Sequence, residues 1–288
     1  MVRTLSPLKP DGSSVAFPAR FVVSDSTELL PGTRRVPFSL SMLGWALNEE
    51  ASIAAYIDRA WTLLAALTED FELIVIDDGS TDRTWEIATE CQRTRPWLRL
   101  YKNDRNRGSG YNTKRAISLA TKDYVFWQTV DWAYDIRYLA QSLHELMSVD
   151  VLQGVRAATT SARGMIVHRS DNPYKGLVSV VNYRLVRTLF RVPLDDYQNV
   201  TVYPRALIQS VTLESESAFT NPECLLKTWW RGATFKQVPV PFVKRQQGRS
   251  KGTRPRAILA AIHDILYWWI QWMVLGRRTD RGRGRVLQ

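Results

Sequence analysis

The sequence predicts an α/β fold, a mostly parallel sheet with helices on both faces. Two observations carry this. Short apolar runs alternate with stretches of helical spacing, joined by short links. Polar, often glycine-containing clusters follow the runs, where an open parallel sheet binds its ligands.

The elements read in order as follows. Phe38 to Gly44 predicts a first strand, and Ile53, Ile57, Trp61 and Leu64 mark a helix over Glu49 to Leu67. Glu72 to Ile76 is a continuous apolar run, the mark of a strand buried on both faces. A helix follows from Arg83 to Cys91, then a strand over Leu98 to Tyr101. Asn106 to Gly110 leads into a helix reaching Ala120, and Asp123 to Trp127 is a fourth strand. A single helix is expected from Asp135 to Met147, and Val151-Leu152 opens a fifth strand. Residues 1–36 hold Pro, Gly and Ser without apolar period and read as a flexible extension with no signal peptide. Residues 37–240 form the predicted catalytic body, and 241–288 a basic loop, a helix and a tail.

The 288 residues carry a net charge of +11, which is unevenly placed. Residues 240–288 hold eleven basic and two acidic side chains, residues 1–36 hold five and three, and the body between them is neutral. A nucleic-acid-binding domain spreads its cations over a folded face, so no nucleic-acid partner is expected. Two cysteines, Cys91 and Cys224, exclude a disulfide scaffold and a zinc ribbon. His144, His168 and His263 lie far apart and form no metal-binding pair.

Carboxylates follow the strands. Asp77-Asp78-Gly79-Ser80 ends the most buried run, where one carboxylate can accept from a nucleotide base or ribose and Gly79 permits close approach. The same residues equally satisfy an Asp-Gly turn with Ser80 or Asp82 capping the next helix. Asp131, after the fourth strand, is placed either to hold Mg²⁺ or Mn²⁺ against a diphosphate or to cap a helix. Gly108-Ser109-Gly110 can offer backbone N–H groups to phosphate, although a short GxG is commonly only a turn.

In this order the pieces resemble the family-2 inverting glycosyltransferases of the GT-A (Rossmann-like) fold, most closely the polyprenyl-phosphate, dolichyl-phosphate-mannose-synthase-like branch. The motifs are Trp45-Ala46-Leu47-Asn48-Glu49-Glu50, Asp77 to Asp82, Asn106 to Gly110 and Thr129-Val130-Asp131. Gly154-Val155-Arg156, Asp196 to Asn199 with Arg205, the helix bearing Glu223, and Arg245-Gln246-Gln247-Gly248-Arg249-Ser250-Lys251 continue the series. The likeness spans residues 37 to 255. It departs at Thr129, where the first DxD carboxylate would stand, at Ala133, and at Trp45 in place of a proline. The chain also stops at Gln288, short of the multiple spans some relatives carry.

The resemblance implies one-step displacement of a sugar, with inversion, from a UDP- or GDP-sugar to a polyprenyl phosphate, in cell-envelope or glycan biosynthesis. It assigns nucleotide-sugar contact to Asn48, Glu49, Asp77, Asp78, Gly108, Gly110 and Thr129. It assigns a weak, phosphate-assisted Mg²⁺ or Mn²⁺ site to Asp131, leaving-group phosphate contact to Arg205, and acceptor-phosphate contact to Arg245, Arg249, Ser250 and Lys251. A phosphate monoester is largely ionised near neutral pH and needs little help from a base. A hydroxyl acceptor would require one, and Asp195, Asp196 and Glu223 are the candidates. The weakened DxD leaves a third reading, a non-catalytic nucleotide-sugar-binding module.

Ile258 to Gly276 is mostly apolar, contains Trp268, Trp269 and Trp272, and is flanked by Arg254, Arg256, Arg277 and Arg278. Asp264 at the centre of a spanning helix would cost roughly 2.5–3.5 kcal/mol. The segment therefore reads as an amphipathic helix lying on an anionic membrane face, with Trp at headgroup depth, ahead of a buried helix or a span. Leu177 to Phe190, with Arg184, Arg187 and Arg191, is a second such candidate. The expected location is peripheral, on the cytoplasmic face of a membrane. Arg281 to Arg285 resembles RNA-binding tails, but after such a helix it points to lipid headgroups.

Overall fold

The computed structural model describes residues 28–156, 173–241, 255–278, 280 and 282–287. Its strands are β1 Leu40–Ala46, β2 Phe71–Asp77, β3 Leu98–Lys102, β4 Tyr124–Trp127, β5 Val151–Val155, β6 Thr201–Pro204, β7 Thr234–Pro239 and β8 Arg285–Leu287. Its α-helices are α1 Ile53–Leu67, α2 Thr84–Gln92, α3 Ser109–Leu119, α4 Arg137–Gln141, α5 Pro173–Phe190, α6 Arg205–Ser210, α7 Thr220–Trp230 and α8 Pro255–Trp269. The strands form one sheet in the order β3-β2-β1-β4-β6-β5-β7-β8. Only the pairings of β6, with β4 and β5, are antiparallel among these strands.

Alternation along the strands builds a core on each face of this sheet. Leu43, Ile74, Ile76, Val125 and Trp127 face α3, α5, α6, α7 and α8, whereas Leu40, Met42, Leu73, Val75 and Phe126 face α1, α2 and α4. Central strands covered on both faces carry apolar side chains on both, which is why Leu73 to Ile76 of β2 reads as an unbroken run. In α1 the buried stripe Ile53, Ile57, Ala60 and Leu64 keeps the helical period and seats the helix on the sheet.

One segment departs from expectation. The helix predicted over Asp135 to Met147 is instead α4 followed by a tighter 3-10 turn, Leu143–Met147. The break falls at Ser142, whose φ of −102° and ψ of 4° leave the α region. The C-terminal segment returns to the same sheet, with α8 packed on the α5 face and β8 paired in parallel with β7. Gly282 and Gly284 allow that approach, since a Cβ on either would lie 2.6 Å from the Trp230 or Ala233 carbonyl oxygen.

A buried carboxylate ties the amino ends of the first strands together. Glu72 accepts from Ser41 Oγ (2.7 Å), Thr121 N (2.7 Å) and Arg99 Nη1 (2.6 Å). Burial pushes its pKa up, but these hydrogen bonds outweigh burial and hold it below the ordinary value. Its stabilisation is therefore complete above the unfolded pKa of about 4.3 and is lost as pH falls through the lower folded value. Urea unfolding midpoints should fall on acidification below about pH 5, and Glu72→Gln should flatten that dependence while lowering the midpoint at neutral pH.

Candidate active site

The carboxyl ends of β1, β2, β3, β4, β5 and β7, and the start of β6, share one edge of the sheet, because β6 runs against its neighbours. This edge gathers Asn48 and Glu49, Asp77 and Asp78, Asn103 to Gly108, Gln128 to Asp131, Arg156, and Asp195 to Asn199.

The two adjacent carboxylates have different surroundings. Asp78 accepts from Asn103 Nδ2 (2.7 Å), Arg107 N (2.8 Å) and Gly108 N (3.0 Å), so it anchors the loop after β3. Asp77 Oδ1 accepts from Ser80 N at 3.1 Å, whereas its Oδ2 is buried with no hydrogen-bond donor among the described residues. The Lys102 ammonium lies 3.7 Å from that oxygen and 5.3 Å from the Trp85 ring centroid. A buried acceptor lacking a donor suits one brought by a ligand, so of the two carboxylates it is Asp77, not Asp78, that could accept from one.

Asn48 adopts a left-handed φ of 57° and accepts from Thr81 N at 2.9 Å, while its own N–H donates to Ser80 Oγ at 3.0 Å. The backbone N–H of Glu49 donates to Thr84 Oγ1 at 2.8 Å. Both residues thus lock the β1 and β2 loops together. The expectation that Gly108 offers its N–H to phosphate is corrected, because Asp78 and Asn106 Oδ1 accept from it. Gly108 is required for its φ of +83°, and no side chain caps α3 beyond it.

Asp131 follows β4 with both carboxylate oxygens shielded from solvent. Thr129 closes this turn, its Oγ1 accepting from Ala133 N at 3.3 Å. Next in the chain, Trp132 has a φ of +49°, a strained conformation for a bulky residue. Arg59 lies over its ring at 4.3 Å and Tyr56 packs at 5.8 Å, while the Tyr56 hydroxyl donates to the Gln128 carbonyl. No three His, Cys, Asp or Glu side chains gather as a metal-ligand set among the described residues. One shielded carboxylate at this edge nevertheless fits a divalent cation whose other ligands are diphosphate and water oxygens.

Three expected catalytic residues have other surroundings. Arg205 lies at the opposite edge, its Nε donating to the Lys122 carbonyl at 2.9 Å and its backbone N–H to the Asp123 carbonyl. The antiparallel run of β6 carries it there, so it is not placed for phosphate contact. Asp196 is at the correct edge but fully buried in a bidentate pair with Arg156 (2.7 and 2.8 Å), and it also accepts from Tyr197 N and Gln198 N. Glu223 is fully buried, accepts from Glu214 N (2.7 Å) and Ser215 N (2.9 Å), and pairs with Lys227 at 2.8 Å. Burial raises its pKa despite Lys227. Asp196 and Glu223 thus organise loops in this structure. Arg245, Arg249, Ser250 and Lys251 lie outside the described residues. Sequence reading missed Lys102, Asn103 and Trp132; the register of Lys102 opposite Asp77 is the signal that would have found the first.

The glycosyl transferase family 2 model matches residues 45–208. Glycosyltransferase AglD of Haloferax volcanii is 30% identical over 225 residues, covering 76% of this chain and 35% of that protein. A dolichyl-phosphate beta-glucosyltransferase of Dictyostelium discoideum is 30% identical over 105 residues, 34% of this chain and 32% of that one. The chain thus spans about a third of the length of these two relatives. Glucosyl-3-phosphoglycerate synthase from Mycobacterium tuberculosis, in complex with phosphoglyceric acid, has the same fold with a TM-score of 0.55 and 19% identity over 82% of this chain and 80% of that one. The same enzyme in complex with Mn²⁺, UDP and glucosyl-3-phosphoglycerate gives a TM-score of 0.52 at 18% identity, covering 80% of each chain. With an eight-stranded, mostly parallel GT-A-like sheet and a family match over more than half of its length, this chain belongs to glycosyl transferase family 2.

Proposed function

We propose that the chain transfers a sugar from a UDP- or GDP-sugar to a polyprenyl phosphate, with inversion, while resting on the cytoplasmic face of a membrane. The observation that carries the acceptor is the exposed apolar face of α8. Leu259, Leu266 and Tyr267 there, with Ile270 and Val274 of the π-helical turn that continues the helix, are exposed, and Leu259 is 67% so. The opposite face, with Ile265 and Trp272, is buried in the domain. A helix held by one apolar face and exposing another suits a bilayer surface, and Arg277 beside it suits anionic headgroups. Trp272, expected at headgroup depth, is a core residue instead, because apolar residues occupy both faces. Leu177 and Val181 of α5 add exposed apolar surface. No helix among the described residues is long and apolar enough to cross a membrane. The dolichyl-phosphate-named relative supports the same acceptor class.

In this reading Asp77 accepts from the nucleotide and Asp131 holds the metal-bearing diphosphate. Bound there, Mg²⁺ or Mn²⁺ supplies charge neutralisation on the departing diphosphate. The acceptor phosphate, with a second pKa of about 6, attacks the anomeric carbon already ionised. This fits a site edge whose carboxylates Asp78 and Asp196 are engaged by backbone and guanidinium donors. Radiolabelled UDP- and GDP-sugars incubated with the chain and polyprenyl phosphate, with and without Mn²⁺ or Mg²⁺, should give metal-stimulated, lipid-extractable label from one donor. Label confined to water-soluble products would overturn the lipid acceptor.

A further inference from the structure

The turn after α8 reaches the interior through one side chain. Trp272 lies on the π-helical turn Ile270–Val274 and is 3% exposed among Phe190, Phe219, Trp230 and Trp268. Its indole Nε1 donates to Glu214 Oε2 at 3.0 Å, and the Lys227 ammonium lies 4.8 Å from its ring centroid. That ammonium also bridges Glu214 (2.5 Å) and Glu223 (2.8 Å). Glu223 in turn accepts from the backbone N–H groups of Glu214 and Ser215. The clasp therefore fixes both a side chain and the backbone at the start of the 214–217 loop.

That loop is the seat of α3. A Cβ on Gly110 would lie 2.2 Å from the Glu216 carbonyl carbon and 2.6 Å from the Ser217 carbonyl oxygen, so helix and loop are in direct backbone contact. Lys114 of α3 pairs with Glu216 at 3.0 Å. Two residues before Gly110, Gly108 N donates to Asp78, which holds the loop after β3 against the Asp77 edge. Trp272 is thus linked to Asp78 by hydrogen bonds, an ion pair and a close backbone contact, joined by the short chain segments 214–216 and 108–110. The π-helical turn at one end is an irregularity of the kind that recurs at functional sites.

We propose that Trp272 and Lys227 are positioning residues for the donor site, tying the seat of the C-terminal helix to the amino end of α3 through the 214–217 loop. Neither touches the donor. They set where α3 begins, and with it the Asp78-anchored loop beside Asp77.

The test is hydrogen exchange of the full chain carrying Trp272→Phe, which keeps a ring but loses the Nε1 donor. Exchange should quicken about 5-fold or more in 212–217 and in 107–113, while 40–46 and 71–77 stay unchanged. The KM for the nucleotide sugar should rise on the order of 5- to 20-fold with kcat within about 2-fold. Glu214→Ala, which removes the acceptor at a half-exposed loop residue, gives the same readouts should Trp272→Phe fold poorly. Quickening confined to α8, or spread evenly over the sheet, would overturn the proposal. The exchange arm is independent of the donor assignment; only the kinetic arm rests on it, so the two can fail separately.

Discussion

Replacing Asp131 with Asn should lower sugar transfer about 10²- to 10³-fold at saturating donor and metal, the range for removing one electrostatic contact to a developing charge. Three features place the effect there. The carboxylate is shielded from solvent, it stands at the carboxyl edge of β4, and the strained Trp132 immediately follows it. The amide keeps the shape and removes the charge, so the loss reports on charge. The check is the initial rate of transfer for wild type and variant, with circular dichroism confirming the same fold. Full activity in the variant would remove Asp131 from the mechanism, and with it the metal assignment.

Asp196→Ala should cost about 3–5 kcal/mol of stability, because it strands the Arg156 guanidinium in a site where that side chain is 10% exposed. Burial would lower the Arg156 pKa, but the attraction of Asp196 outweighs burial and raises it. The guanidinium therefore stays charged, and losing its partner is severe. The backbone N–H groups of Tyr197 and Gln198 lose an acceptor as well. Changing Arg156 to Met in the same chain should restore a large part of the loss, since no buried charge then remains. Urea unfolding of the two single variants and the double variant measures this directly. Activity should fall with stability in Asp196→Ala, because the Gln198 carbonyl accepts from the Tyr134 hydroxyl and so braces the turn that bears Asp131. Near-additive losses in the double variant would show that the pair is not the source.

Strand and helix alternation was legible as far as β4, to within a residue or two except at the start of α1, read at Glu49 and found at Ile53. Each central strand is covered twice and so carries its own apolar run; β2, read as Glu72 to Ile76, is Phe71–Asp77. The difference between Asp77 and Asp78 was not legible. It depends on Asn103, Arg107 and Gly108 folding back across a strand, a contact that no local pattern encodes. Arg205 was misplaced for a related reason. Strand direction is a property of the whole sheet, and an antiparallel β6 moves its end to the other edge. Trp272 shows a third limit. A helix with apolar residues on two faces does not reveal which one the domain takes, and here the Ile265 and Trp272 side is buried.

The proposed acceptor, an ionised lipid phosphate, needs no base from the chain. The direct measurement compares polyprenyl phosphate with the matching polyprenol in anionic vesicles, using the labelled donor that is active. Transfer is expected to the phosphate alone. Transfer to the polyprenol at a comparable rate would contradict it and return the search to a carboxylate base at this edge.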